Sequence, residues 1–255
     1  MEFKRCYGCM RKLDSPGGVC AHCGYDNTAD PAGQPNHALP CGTILNGRYV
    51  VGKVLGQGGF GITYIGYNLS LEMPVCIKEY FPSGAMRSSR ENRSVYWSSG
   101  DAELLHRGRE SFITEARKAV RLNDLDSIVK VWDVFYENET AYIIMNYLEG
   151  ESLHRWLVRR SAPLDEKSCF ELLEPVMRDL REVHERGIIH RDIKPDNLMR
   201  TPEGKLILLD LGAAKDLSHG DSIYFFVVRI RSRTELSIAA RDIFLRVLTR
   251  FPKLA

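Results

Sequence analysis

The stretch His190 to Asn197, HRDIKPDN, puts a carboxylate, an ammonium and a carboxamide on one loop-like segment, at Asp192, Lys194 and Asn197. Thirteen residues beyond Asn197, Asp210 stands between apolar, strand-like residues and a glycine in LDLG. Far upstream, GQGGFGITY, Gly56 to Tyr64, holds four glycines in nine residues between β-branched runs. Such backbone serves either a hairpin turn or a close approach to a ligand, most often phosphate. Lys78 lies in a further apolar run, PVCIKEYF. Singly, each feature has an ordinary structural explanation: a turn, a helix cap, a surface lysine with a buried stem. A second constellation lies at the start of the chain. Cys6-x-x-Cys9 and Cys20-x-x-Cys23 form two pairs with ten residues between them. Four thiolates at this spacing suit tetrahedral Zn²⁺, and so short a segment has no core of its own without metal. The gap is shorter than in many such sites, and a redox pair or free thiols are the alternatives. His22 is read as a bystander, and Cys41, Cys76 and Cys169 as ordinary small residues.

The elements that must position these residues follow from hydrophobic period and turn chemistry. The first forty residues carry the two pairs and end in ADPAGQPNHALP, which reads as a small module and a linker. RYVVGKVLG, ITYIGYNL and PVCIKEYF read as three strands around the Gly-rich loop. SIVKVWDVFYE and TAYIIMNYLEG read as a hairpin about the turn Asn138-Glu139. The polar stretch from Pro82 to Arg109 reads as a long loop, leading into a helix on which Phe112, Ala116, Ala119 and Val120 share a face. From Ser168 to Val183, apolar residues at 172, 173, 176, 177, 180 and 183 predict a longer amphipathic helix. A β-rich half therefore precedes a helical half.

Composition excludes several function classes. The 255 residues are 44% hydrophobic and 27% charged, ordinary for a soluble globular protein. A net charge of +2 argues against nucleic acid or an anionic membrane as partner. MEFKRCYGCM has no apolar run after its basic residues, and IYFFVV is too short to span a bilayer. The expectation is a cytoplasmic protein, in whose reducing surroundings paired cysteines point to metal before disulfides.

Taken in order, these motifs resemble a eukaryotic-type Ser/Thr protein kinase, of the bacterial kind that carries an N-terminal zinc ribbon, over roughly residues 40 to 220. The resemblance implies an α+β, two-lobed kinase fold with a β-rich first lobe, a partial helical second lobe and a small zinc ribbon before them. It implies a zinc ribbon over 1–28, a linker over 29–44, a first lobe over 45–148, a partial second lobe over 149–222 and an anomalous tail over 223–255. It implies transfer of the ATP γ-phosphate to a hydroxyl of an unidentified protein. Gly56, Gly58, Gly59 and Gly61 would fold over the phosphates, with Phe60 at the tip. Lys78 would hold the α- and β-phosphates and pair with Glu115, chosen over Glu110 and Glu103 because it lies within the apolar helical pattern. Asp192 would orient the acceptor hydroxyl, Lys194 would neutralise the phosphate in transfer, and Asn197 and Asp210 would hold Mg²⁺. Met145, Asn146 and Leu148 would receive adenine, with Val54, Val75 or Cys76 and Leu198 lining its pocket. Leu211 stands where the family usually has Phe, and Asn146 where it often has Glu; both are mild departures. Cys6, Cys9, Cys20 and Cys23 would hold the zinc of a ribbon that serves interaction or regulation through a protein partner.

The end of the chain departs from the family. The 43 residues after Gly212 match no activation segment and no Ala-Pro-Glu-like motif. Ile230 to Thr234 can be encoded so that a one-base shift reads Tyr-Ala-Pro-Glu-Gln, which suggests a chain out of frame from somewhere between Leu217 and Arg229. On that reading the second lobe is truncated or frameshifted, and marginal stability with weak or absent activity is the expectation. A non-catalytic ATP- or partner-binding remnant stays open as the alternative.

Overall fold

The computed structural model describes residues 3–13, 17–28, 34–59, 61–89, 92–97, 102–162, 164–190, 192–209 and 215–216. Phe60, Arg191, Asp210 to Gly212 and the tail beyond 216 lie outside the described residues, and with them the sequence expectations for those positions. The chain divides into two units, Met1–Arg117 with Val131–Tyr147, and Lys118–Lys130 with Leu148–Ala255. Among the described residues no helix is long and apolar enough to cross a membrane.

The first unit is built on an antiparallel sheet. Its strands are β1 (Ile44–Leu45), β2 (Tyr49–Gly58), β3 (Gly61–Asn68), β4 (Met73–Tyr80), β7 (Val131–Glu137) and β8 (Thr140–Asn146), in the order β1-β2-β3-β4-β8-β7. Alternation decides which side chains face which way. Val51, Tyr64, Ile77, Tyr142 and Ile144 point to one face with Leu39, Leu45 and Phe81, while Val50, Ile65 and Tyr67 point to the other. The β7–β8 turn carries positive φ at both Asn138 (53°) and Glu139 (56°), the geometry that matches a hairpin's twist. Register breaks in β2 on both sides of Val54 bend the strand just before the Gly-rich turn.

The stretch read as a long loop is more ordered than its polarity suggested. It forms a hairpin, β5 (Ala85–Arg87) with β6 (Val95–Trp97), and then begins helix α1 (Ala102–Val120) eight residues earlier than the apolar pattern indicated. The reason is that its first turns are held by surface charge, such as the Glu103–Arg107 pair, and not by a continuous apolar stripe. Phe112 packs its ring on Tyr80, 5.5 Å between centroids, and Ile113, Ala116 and Ala119 are buried on the same helix.

The N-terminal segment also belongs to this unit. Met10 is buried with Val50, Ile65 and Tyr67 on the outer face of the sheet, and Phe3 and Tyr7 pack around it. The Lys53 N–H donates to the Tyr7 carbonyl at 2.9 Å. Ala38 and Leu39 are buried in the core of the opposite face, where the Leu39 N–H donates to the Tyr64 hydroxyl.

The second unit holds β9 (Glu151–Ser152), α2 (Leu153–Val158), α3 (Glu166–Glu185), β10 (Ile188–Ile189), β11 (Leu198–Arg200), β12 (Leu206–Leu208) and β13 (Lys215–Asp216). Asp165 caps α3 by accepting from the Ser168 N–H. Of the predicted stripe, Leu173, Val176, Met177, Leu180 and Val183 are buried, while Leu172 is half-buried at its edge. Buried Asp179 accepts from the Ser127 N–H at 2.7 Å, and Ser127 accepts in turn from the Leu208 N–H. Those bonds tie α3 to the three-stranded sheet β9-β11-β12.

Candidate active site

In the second unit, β10 runs into the segment that carries Asp192, and a 3-10 turn over Pro195–Asn197 leads out of it into β11. The sequence enforces this path. Pro195 begins the 3-10 turn, where its fixed φ fits and its missing N–H is not needed. Ile193 and Leu198 are buried on either side and anchor the loop in the core. His190 is fully buried and structural: its Nδ1 accepts from the Asp192 N–H at 3.3 Å, and its Nε2 donates to the Leu209 carbonyl at 3.2 Å. The Leu209 N–H donates to the Asn197 carbonyl at 2.7 Å, so the backbone immediately before Asp210 is stitched to the loop.

Asp192 is the centre of this arrangement. Its Oδ2 accepts from Lys194 Nζ at 2.7 Å and from Asn197 Nδ2 at 2.8 Å. Asn197 Nδ2 also donates to the Asp192 carbonyl at 2.8 Å. One carboxylate oxygen is thereby committed to a cation and an amide, which fixes the side chain's direction and leaves Oδ1 for an incoming donor. The same bonds spend the amide hydrogens of Asn197 and leave its Oδ1 as an oxygen suited to a hard cation. The carboxylate, ammonium and carboxamide picked out from spacing are therefore brought together.

In the first unit, the Gly-rich turn joins β2 to β3, with Gly58 opposite Gly61. The four glycines are not equivalent. A Cβ at Gly61 would lie 2.2 Å from the Glu79 carbonyl of the neighbouring strand, so Gly61 is needed for strand packing. A Cβ at Gly56, Gly58 or Gly59 would meet nothing within 4 Å. The protein's own packing does not demand glycine at these three, which is the pattern expected where the bare backbone is kept for a ligand.

Lys78 pairs in register with Thr63 on β3 and Ile143 on β8. Its Nζ stands 6.0 Å above the Phe112 ring of α1. Glu115 lies one turn further along that helix, at the spacing that shares a face with Phe112. Met145 is opposite Cys76, and Asn146 opposite Val75. The Asn146 side-chain oxygen accepts from the indole of Trp132. Val54 is half-buried on β2, and Leu198 is buried on β11. Leu148 lies just beyond β8, in the second unit.

One group beside these residues escaped the sequence reading. Glu79 is fully buried, and its carboxylate accepts four hydrogen bonds: two from Arg87 Nη2, both 2.8 Å, one from Tyr64 (2.7 Å) and one from Tyr142 (2.9 Å). Burial works against the Arg87 charge, yet the adjacent carboxylate raises its pKa overall. Burial, and then the Glu79 charge, push both tyrosines above their ordinary range. The signal was present in KEYF, where an acid alternates with apolar residues in a strand, but the partner sat in a stretch read as loop.

At the N-terminus, the Sγ atoms of Cys6, Cys9, Cys20 and Cys23 all lie within 4.8 Å of one another. Cys6 and Cys23 are 3.6 Å apart, and Cys9 and Cys20 3.9 Å. Each pair sits in a tight turn: the Met10 N–H donates to the Cys6 carbonyl, and the Gly24 N–H to the Cys20 carbonyl. The backbone N–H groups of Cys23 and His22 lower the Cys20 thiol to about 7.

A family described as the protein kinase domain matches residues 49–232, more than half of the chain. Among curated proteins, serine/threonine-protein kinase F of Synechocystis sp. is 34% identical over 69% of this chain and 35% of its own length. Serine/threonine-protein kinase PrkC of Bacillus subtilis is 30% identical over 69% of this chain and 24% of its own length. The chain thus spans about a third or less of these relatives. A solved structure described as the apo form of PpkA-294 superposes with a TM-score of 0.63 at 31% identity, over 69% of this chain and 62% of that one. The ordered loop about Asp192, the open glycines and these matches agree, and the chain belongs to the protein kinase family.

Proposed function

We propose that the protein transfers the γ-phosphate of ATP to a serine or threonine hydroxyl of a protein substrate. The observation that carries this reading is Asp192, held by Lys194 and Asn197 with one carboxylate oxygen left over. Phosphoryl transfer asks for positioning and charge neutralisation more than for covalent chemistry. Asp192 Oδ1 would accept the substrate hydroxyl's hydrogen and aim its oxygen in line. Lys194, already beside that carboxylate, would offset charge on the phosphoryl group as it passes. Lys78 would hold the α- and β-phosphates, with Glu115 as its carboxylate partner. The open face of Gly56, Gly58 and Gly59 would lie against the phosphates through backbone N–H groups. The main chain of Met145, Asn146 and Leu148 would receive adenine, with Val54 and Leu198 supplying apolar contact. Asn197 Oδ1 and Asp210 would hold Mg²⁺, which when bound neutralises phosphate charge.

The four cysteines fit Zn²⁺. Tetrahedral thiolate ligation at about 2.3 Å demands sulfur separations of about 3.8 Å, close to the 3.6 and 3.9 Å found. Thiolates at this spacing repel one another strongly unless a cation lies among them. A protein partner for the ribbon remains part of the proposal, since the residues that flank its cysteines include exposed Val19.

The test is incubation of the purified full chain with Mg·ATP and a mixed protein acceptor, followed by mass spectrometry for phosphoserine and phosphothreonine. Transfer that disappears in Asp192→Asn supports the reading. ATP binding without transfer replaces it with that of a non-catalytic nucleotide-binding protein.

A further inference from the structure

The Gly-rich turn is held from one side by His37, which stands before the matched kinase domain, and by Ser83 within it. The Ser83 N–H donates to the Gly59 carbonyl at 3.1 Å. His37 Nε2 lies 3.1 Å from the amide oxygen of Gln57. An amide oxygen only accepts, so Nε2 carries the proton of this bond. These contacts sit at the edge of a cleft of about 700 Å³ lined by His37, Gln57, Gly59, Phe81 and Arg87.

His37 is itself held firmly. Its ring stacks on Phe81, 5.2 Å between centroids at 18°. Its carbonyl accepts from Arg87 Nε at 2.8 Å. Arg87 then uses Nη1 on the Arg93 carbonyl and Nη2 on both oxygens of Glu79, with its side chain 4% exposed. A continuous chain of contacts therefore runs from a fully buried carboxylate on β4, through Arg87 and His37, to Gln57 in the middle of the Gly-rich turn.

We propose that His37, from the segment ahead of the kinase domain, and Arg87, which holds it from within the domain, are positioning residues for the phosphate-binding turn and so set nucleotide affinity. The proposal rests on the nucleotide-binding reading given above. Glycines without side-chain contacts carry the largest conformational entropy, and ordering them against phosphate opposes binding. A turn held beforehand by Gln57 and Gly59 loses less on binding, which is preorganisation. Arg87 is required as an arginine, because a lysine cannot reach Glu79, His37 and Arg93 together from one planar fork.

The experiment compares dissociation constants for Mg·ATP and for adenosine by calorimetry on the full chain. His37→Phe keeps the ring on Phe81 and removes only the donor; Gln57→Ala removes the acceptor; Arg87→Lys removes the fork. Each variant is expected to weaken Mg·ATP about two- to tenfold, the span of one neutral hydrogen bond, while adenosine, which has no phosphate, binds as before. The double variant His37→Phe with Gln57→Ala is expected to lose no more than either single one. Unchanged or tighter Mg·ATP binding in His37→Phe and Gln57→Ala overturns the proposal, as does equal weakening of ATP and adenosine. Should Arg87→Lys fail to fold, the other two variants decide. A wild-type chain that binds neither ligand removes the nucleotide-binding reading itself and this proposal with it.

Discussion

Asp192 shows how a spacing becomes a geometry. The offsets of two and three in HRDIKPDN were readable, but not that Lys194 and Asn197 would both converge on Oδ2. Since both are committed to Asp192, its replacement by Asn is expected to lower phosphoryl transfer by about 10²- to 10⁴-fold, the usual worth of a positioned base, with Mg·ATP affinity retained; initial rates alongside calorimetry check this. Glu79 makes the opposite point. Nothing in the local sequence pairs it with Arg87, eight residues away on a hairpin that the composition concealed. Arg87→Met leaves a buried carboxylate without its cation and is expected to cost about 3–5 kcal/mol of stability, read from urea denaturation. Replacing Glu79 by Leu at the same time is expected to restore part of the loss, because the uncompensated charge goes too.

Among the elements, the long amphipathic helix and the β7–β8 hairpin were legible because period and turn chemistry act locally. The beginning of α1 was not, because its first turns carry charge pairs and no apolar stripe, nor was the β5–β6 hairpin, because a polar segment is ordered by partners distant in sequence. The Val95 N–H, for instance, donates to the Asn138 carbonyl. The end of α3 offers a test of such a tie. Arg186 grips Asp124 in the turn after α1 with both arms of its guanidinium, and that contact holds the Asp124 carboxyl down at about 2 from an ordinary 3.8. A depressed folded-state pKa contributes stability that is complete above the unfolded value and lost as pH falls through the folded one. Wild type is therefore expected to exceed Arg186→Gln in stability above about pH 4, with the gap closing as pH drops through about 2. Denaturant midpoints measured from pH 5 downward check the sign.

For the molecule as a whole, the N-terminal module belongs to the first unit and not to a free appendage. A Cβ at Gly52 would lie 2.5 Å from the Tyr7 carbonyl and 2.2 Å from the end of Met10. Met10 can swing away, but the carbonyl is backbone and is already held by the Lys53 N–H. Gly52→Ala is expected to lift the module from the sheet and lower thermal stability while metal content stays constant. One zinc per chain by elemental analysis is the expectation for the wild type, with loss in Cys20→Ser. Chelation is expected to expose Met10, Val50, Ile65 and Tyr67, read as faster proteolysis within residues 3–28.

The sequence by itself determined the family, marked the residues proposed for catalysis and showed the two Cys-x-x-Cys pairs. Those depend on the identity and spacing of residues along short segments, and short segments carry their own turn, strand and capping preferences. Tertiary structure alone decided three further things. It assigned Gly61 to packing and left Gly56, Gly58 and Gly59 open. It closed a buried acid on an arginine from a polar hairpin. It laid the segment around His37 against the Gly-rich turn. Each of these joins groups whose separation along the chain carries no periodic signal. Burial and hydrogen-bond satisfaction, which exist only once the sheet has formed, are what select them.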